Sequence, residues 1–199
     1  SEHENVDIYS PNCTIRNCWI HDAGINSRPN NNAQANAGVH SLLVNGTTVE
    51  YCLLENNGST PGYDHGVYIS GSNLTVRGNV MRGNWGFGLH LYNPNGGSVI
   101  NAKVYDNLIY GNGSHTINNW DGVYIVPRAG NTVYVWNNTI LAQNGPPIQG
   151  AYGTVCRTNN IVLGAGGSMF SVVRQTTLAD YHLSTAKLTS SGPHDVVST

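Results

Sequence analysis

The sequence predicts an all-β fold: a single-stranded right-handed parallel β-helix of about six coils, closed by an irregular C-terminal cap. Three observations predict it. A short kernel recurs six times, segments of period two precede most of its copies, and no stretch has helical periodicity.

The kernel reads apolar, two variable residues, Asn or Cys, one variable residue, apolar. Its copies start at Ile15, Val49, Val76, Val104, Val135 and Cys156, with Cys18, Cys52, Asn79, Asn107, Asn138 and Asn159 at the fourth place. Those places lie 34, 27, 28, 31 and 21 residues apart. A constant kernel at variable spacing describes coils of one solenoid with corner loops of different length. Asn at a fixed corner can hydrogen-bond from coil to coil as an asparagine ladder and satisfy turn backbone groups. Cys18 and Cys52 fill the Asn place in the first two coils and read as small buried thiols. Coils stack ~4.8 Å apart, within disulfide reach, so a bridge between them stays open. Residues 1–169 form the coils. Residues 170–199, where the kernel stops, form a capping segment of the same domain, because an open β-helix end is an unpaired edge.

The period-two segments are Gly38-Val39-His40, Gly66 to Ile69, Gly88 to Leu91 and Gly122 to Ile125. Alternation turns Val39, Val67, Leu89 and Val123 inward and places His40, Tyr68, His90 and Tyr124 outward, one per coil. Two residues on, Leu42, Ser70, Tyr92 and Val126 make a second column. The corners before these strands bring Arg28, Tyr63, Asp64, His65, His115, Trp120 and Asp121 beside the same face. Two further outward columns run Arg16, Glu50, Arg77, Tyr105, Trp136 and His21, Glu55, Arg82, Tyr110, Leu141.

Composition narrows the function classes. Charged residues are 10% of the chain, hydrophobic residues 39%, and the net charge is −2. That balance gives no basic surface for nucleic acid. No apolar run approaches the ~18 residues of a membrane span. No cysteine pair has the spacing of a zinc site. Low charge with abundant Asn, Ser, Thr and Tyr points to a secreted or cell-surface protein that handles polysaccharide.

The run Asp64-His65-Gly66-Val67-Tyr68-Ile69-Ser70, then Val76 to Asn79, Gly86 to Tyr92 and Val135 to Ile140, resembles the large family of right-handed parallel β-helix repeat proteins of the pectate-lyase-like superfamily. The resemblance spans essentially the whole chain and implies the fold. Lyases, epimerases, glycosidases and non-catalytic surface proteins share it, so activity must be argued from a site. Tyr63-Asp64-His65 is similar to the Asp-Pro-His region of mannuronan epimerases and alginate lyases, without the proline.

Two functional expectations follow. As a uronate lyase, the protein would use His65 as base, oriented by Asp64, with Tyr68 or Tyr63 as acid and Arg77 or Arg82 neutralising the carboxylate. Ca2+ on Asp64 and Asp121 would be the alternative neutraliser. His40, His90, Tyr92, Tyr124, Tyr63, Arg82 and Trp120 would bind the chain. A hydrolase ranks lower, because it needs two flanking carboxylates and acidic residues are sparse on this face. The competing expectation is a non-catalytic carbohydrate-binding or structural module, in which the His/Tyr column is a stacking ladder.

Overall fold

A computed structural model describes residues 5–24, 36–59, 64–92, 99–113, 122–142, 147–164, 170–173, 176–180, 183–184 and 196–197. Every strand pairing within it is parallel, and three long sheets run along the molecule. Sheet 1 stacks Val6–Asp7, Val39–Ser41, Val67–Ile69, Leu89–Leu91, Val123–Ile125, Ile148–Ala151 and Phe170–Val173. Sheet 2 stacks Thr14–Arg16, Thr48–Glu50, Thr75–Arg77, Lys103–Tyr105, Thr132–Trp136, Thr154–Thr158 and Thr176–Asp180. Sheet 3 runs from Trp19–His21 through Leu53–Glu55, Val80–Arg82, Leu108–Tyr110, Thr139–Ala142 and Ile161–Gly164 to Leu183–Ser184 and Val196–Val197. The chain visits sheets 1, 2 and 3 in turn, once per coil. This is the β-helix that the kernel predicts.

The strands are short because each coil turns at tight corners. A residue with positive φ starts the corner between sheets 2 and 3: Asn17, Tyr51, Gly78, Asp106, Asn137 and Asn159 all have φ between 52° and 63°. The next residue then points inward, and in four successive coils it is Asn79, Asn107, Asn138 and Asn160. Each of the first three donates from Nδ2 to Oδ1 of the next, at 3.0, 2.9 and 2.9 Å. A second ladder, Asn57 to Asn84 to Asn112, lines the corner between sheets 3 and 1, with 2.9 and 2.8 Å rungs. Ladder amides also satisfy strand carbonyls, as Asn107 Nδ2 does for Val76 at 3.0 Å. They thereby close backbone groups that the corners would otherwise strand in the core.

Inside, middle residues of sheets 2 and 3 and flanking residues of sheet 1 form one apolar core. Val49, Val76, Val104, Leu54, Met81, Ile109, Val67, Leu89 and Val123 are fully buried. Each aliphatic side chain removed from water contributes about 1.5–3 kcal/mol.

Three sequence expectations change. The sixth kernel is registered one residue later than predicted. Arg157 pairs with Val135 and Asn160 continues the ladder below Asn138, so Cys156 and Asn159 are not the kernel positions. The tandem Asn159-Asn160 permits either register, and Arg157 in an inward place hides the apolar signature. The repeat also extends past residue 169: strands within 170–184 add another rung to each sheet. Finally, Cys18 and Cys52 are free thiols, as read from the kernel, but only one of them is buried. Cys52 is buried, but Cys18 is exposed, since it heads the column. The Cys18 N–H points at Cys52 Sγ, 3.5 Å away, as an asparagine rung would.

Candidate functional site

The outer face of sheet 1 carries the predicted column in the predicted register. His40, Tyr68, His90 and Tyr124 are neighbours across parallel pairs, with Asp7 before them and Gln149 after. The rings make a continuous aromatic cluster. Tyr68 stacks on His90 at 4.7 Å and 13°. His90 stacks in turn on Tyr92 at 5.2 Å and 5°. Tyr124 meets the His90 ring edge to face at 5.1 Å. At the head, His40 Nδ1 lies 3.0 Å from Asp7 Oδ1. His90, Tyr92 and Tyr124 are half-buried and Tyr68 is buried.

Two corner residues enter this cluster from behind. His65 and Phe87 hold equivalent places, each one residue before the glycine that opens a sheet 1 strand. Phe87 stacks on Tyr124 at 5.3 Å. Sequence reasoning passed over Phe87, although the matching His65-Gly66 and Phe87-Gly88 pairs signal it. His65 is buried, and its Nδ1 accepts the Phe87 backbone N–H at 3.0 Å. Its Nε2 lies 2.6 Å from His90 Nδ1. Gly86 makes room for this: a Cβ there would stand 2.6 Å from His65 Nδ1 and 2.6 Å from the Asp64 carbonyl oxygen.

The backbone donor assigns the tautomers. Because Phe87 N–H donates to His65 Nδ1, the His65 proton sits on Nε2 and donates to His90 Nδ1. The His90 proton is therefore on Nε2. That atom is buried without a hydrogen-bond partner among the described residues, at a cost of about 1–3 kcal/mol. Burial holds the His65 pKa down to about 3. Burial, then the neighbouring His65, keeps His90 well below the ordinary imidazole value. Burial pushes Tyr68 up to about 12.

The remaining predicted residues lie elsewhere. Asp64 does not orient His65, whose two nitrogens are taken. Its Oδ1 accepts the Asn36 N–H at 2.8 Å, and its Oδ2 accepts the Ser59 N–H at 2.6 Å and Asn36 Nδ2 at 3.1 Å. Asp64 thus clasps two corner segments together. Arg77 belongs to sheet 2, not to the face of Tyr68. Its Nε donates to Glu50 at 2.5 Å and its Nη1 to the Tyr105 hydroxyl at 3.1 Å. Arg16 binds the other oxygen of Glu50. Arg82 is on sheet 3, paired with Glu55 at 2.7 Å and with Tyr110 at 3.1 Å. Tyr63 and Trp120, like Arg28, His115 and Asp121, fall outside the described residues. The Ca2+ alternative loses Asp64 to its corner contacts.

A family model described as a right-handed β-helix region matches residues 1–140. The chain belongs to the right-handed β-helix family. No curated protein and no solved structure matches it. Within this β-helix, the geometry unites His40, His65, Tyr68, His90, Tyr92 and Tyr124 and separates them from Asp64, Arg77 and Arg82.

Proposed function

We propose that this β-helix protein binds saccharide chains on the outer face of sheet 1 and that the His65–His90 pair at its centre performs no proton transfer. The observation that carries the reading is the fixed chain of hydrogen bonds from Phe87 N–H through His65 to His90. It occupies the only lone pair of each imidazole, so neither can act as a base. Burial of both rings disfavours the protonated form, so neither serves as a general acid. What remains is a set of flat rings stacked ~4.8 Å apart per coil, with Tyr hydroxyls at their edges. Ring faces pack on the C–H surfaces of pyranoses, and polar edges bind hydroxyls. A protein with this role acts at a cell surface or outside the cell.

Affinity electrophoresis in gels cast with polysaccharide tests the reading. The protein is expected to be retarded, and Tyr92→Ala to lose retardation about tenfold. Parallel incubations are expected to yield neither unsaturated product nor new reducing ends. Turnover of any polymer that is abolished in His65→Phe would overturn the non-catalytic assignment.

A further inference from the structure

The charge arrangement narrows the ligand class, on the premise that sheet 1 binds saccharide. We infer that the chain bound on this face is uncharged, not a polyuronate.

Geometry forbids a cation at the centre of the cluster. A proton added to His65 would sit on Nδ1, facing the Phe87 N–H 3.0 Å away. A proton added to His90 would sit on Nδ1, facing the His65 Nε2–H across 2.6 Å. Either addition sets donor against donor. The guanidinium groups of Arg16, Arg77 and Arg82 stand on sheets 2 and 3, bound to Glu50 and Glu55. The column's own carboxylate, Asp7 at its head, repels an anionic chain.

A uronate chain carries a carboxylate on every sugar. Laid on these rings it would lose hydration from each carboxylate without gaining a guanidinium or ammonium partner from the described residues of sheet 1, which is costly. A fork of guanidinium N–H groups is the usual remedy, and this face lacks one among the described residues. An uncharged chain avoids that cost. Its hydroxyls suit the half-exposed edges of Tyr92 and Tyr124.

The test compares gels cast with a neutral mannan, a neutral β-glucan, polygalacturonate or alginate, using the full chain. Retardation is expected in at least one neutral gel, unchanged when salt is raised several-fold, and in neither polyuronate gel. Arg77→Gln and Tyr105→Ala, on sheet 2, are expected to leave it unchanged, whereas Tyr92→Ala loses about tenfold. Circular dichroism and the thermal midpoint confirm that each variant is folded. Retardation by a polyuronate that weakens with salt would overturn this inference while sustaining saccharide binding. Retardation in no gel would overturn both.

Discussion

On sheet 1 the outward column runs Asp7, His40, Tyr68, His90, Tyr124. On sheet 2 it runs Arg16, Glu50, Arg77, Tyr105, Trp136. The backbone ladders beneath them are alike, yet the chemistry differs. The sheet 2 column is closed upon itself: two guanidinium groups share one carboxylate, and Arg77 also donates to Tyr105, which stacks on Trp136 at 4.3 Å. The sheet 1 column is knit by imidazole contacts that leave one donor unmatched and several ring edges half-exposed. A column that satisfies itself reads as structure, and one that leaves several ring edges half-exposed reads as a surface prepared for something else. Arg16, Arg77 and Arg82 are conspicuous charges in the sequence, yet their commitment to Glu50 and Glu55 marks them as scaffold.

The comparison breaks most severely if the shared scaffold fails. Asn107 accepts from Asn79, donates to Asn138 and caps the Val76 carbonyl. Asn107→Ala is expected to strand several buried polar groups, costing about 3–5 kcal/mol and lowering the thermal midpoint by roughly 10 °C. Both faces should be lost together. If chemical denaturation shows no destabilisation, the ladder is not what holds the coils.

Acid separates the two faces. His65 is held neutral, with its pKa pushed from 6.5 to about 3. Its contribution is intact above 6.5 and declines as pH falls towards 3, by about 1.4 kcal/mol per pH unit, because the unfolded chain takes up the proton first. His90 acts in the same direction. Glu50 and Glu55 are held below the carboxylate value of 4.5, chiefly by hydrogen bonds from Arg77 and Arg82. Their contribution is present above 4.5 and is lost only as pH falls below it. Between 6.5 and 4.5 the unfolding midpoint should therefore fall through the sheet 1 histidines alone of these groups, and His90→Phe should make that slope shallower. A flat wild-type profile across this window would sink the assignment of neutral imidazoles.

The smallest effect sharpens the contrast at the first coils. Cys52→Asn would place a true rung between Asn79 and Cys18. Its Oδ1 would face the Cys18 N–H, and its amide the Ile15 carbonyl that Cys52 Sγ approaches at 3.8 Å. We expect a gain of about 1 kcal/mol in urea denaturation, with saccharide retention unchanged because sheet 1 is untouched.

Much of this was legible in the sequence. The kernel spacing set Val67 beside Leu89 and His40 beside Tyr68, since a slipped register would expose the core face of every strand. Legibility failed where one residue stood in two roles. Asn159 and Asn160 compete for one rung, and Arg157 occupies a core place written elsewhere as Val or Ile. At the site, adjacency misled: Asp64 precedes His65 in sequence, but consecutive residues at a corner point apart. The contact that matters, His65 with His90, joins residues 25 apart. It depends on the space beside Gly86, which no pattern of polar and apolar residues records.

The paired corners have one more consequence. Cys52 and Asn57, Asn79 and Asn84, and Asn107 and Asn112 are each separated by five residues, whereas successive rungs of the first ladder lie 28, 31 and 22 residues apart. In these three coils one side is thus of fixed length, and the differences in coil length fall on the stretches flanking sheet 1. This divides the molecule into a spine of set length and a margin whose length can change. New loops can be tried around the same face, coil by coil, without renegotiating the fold.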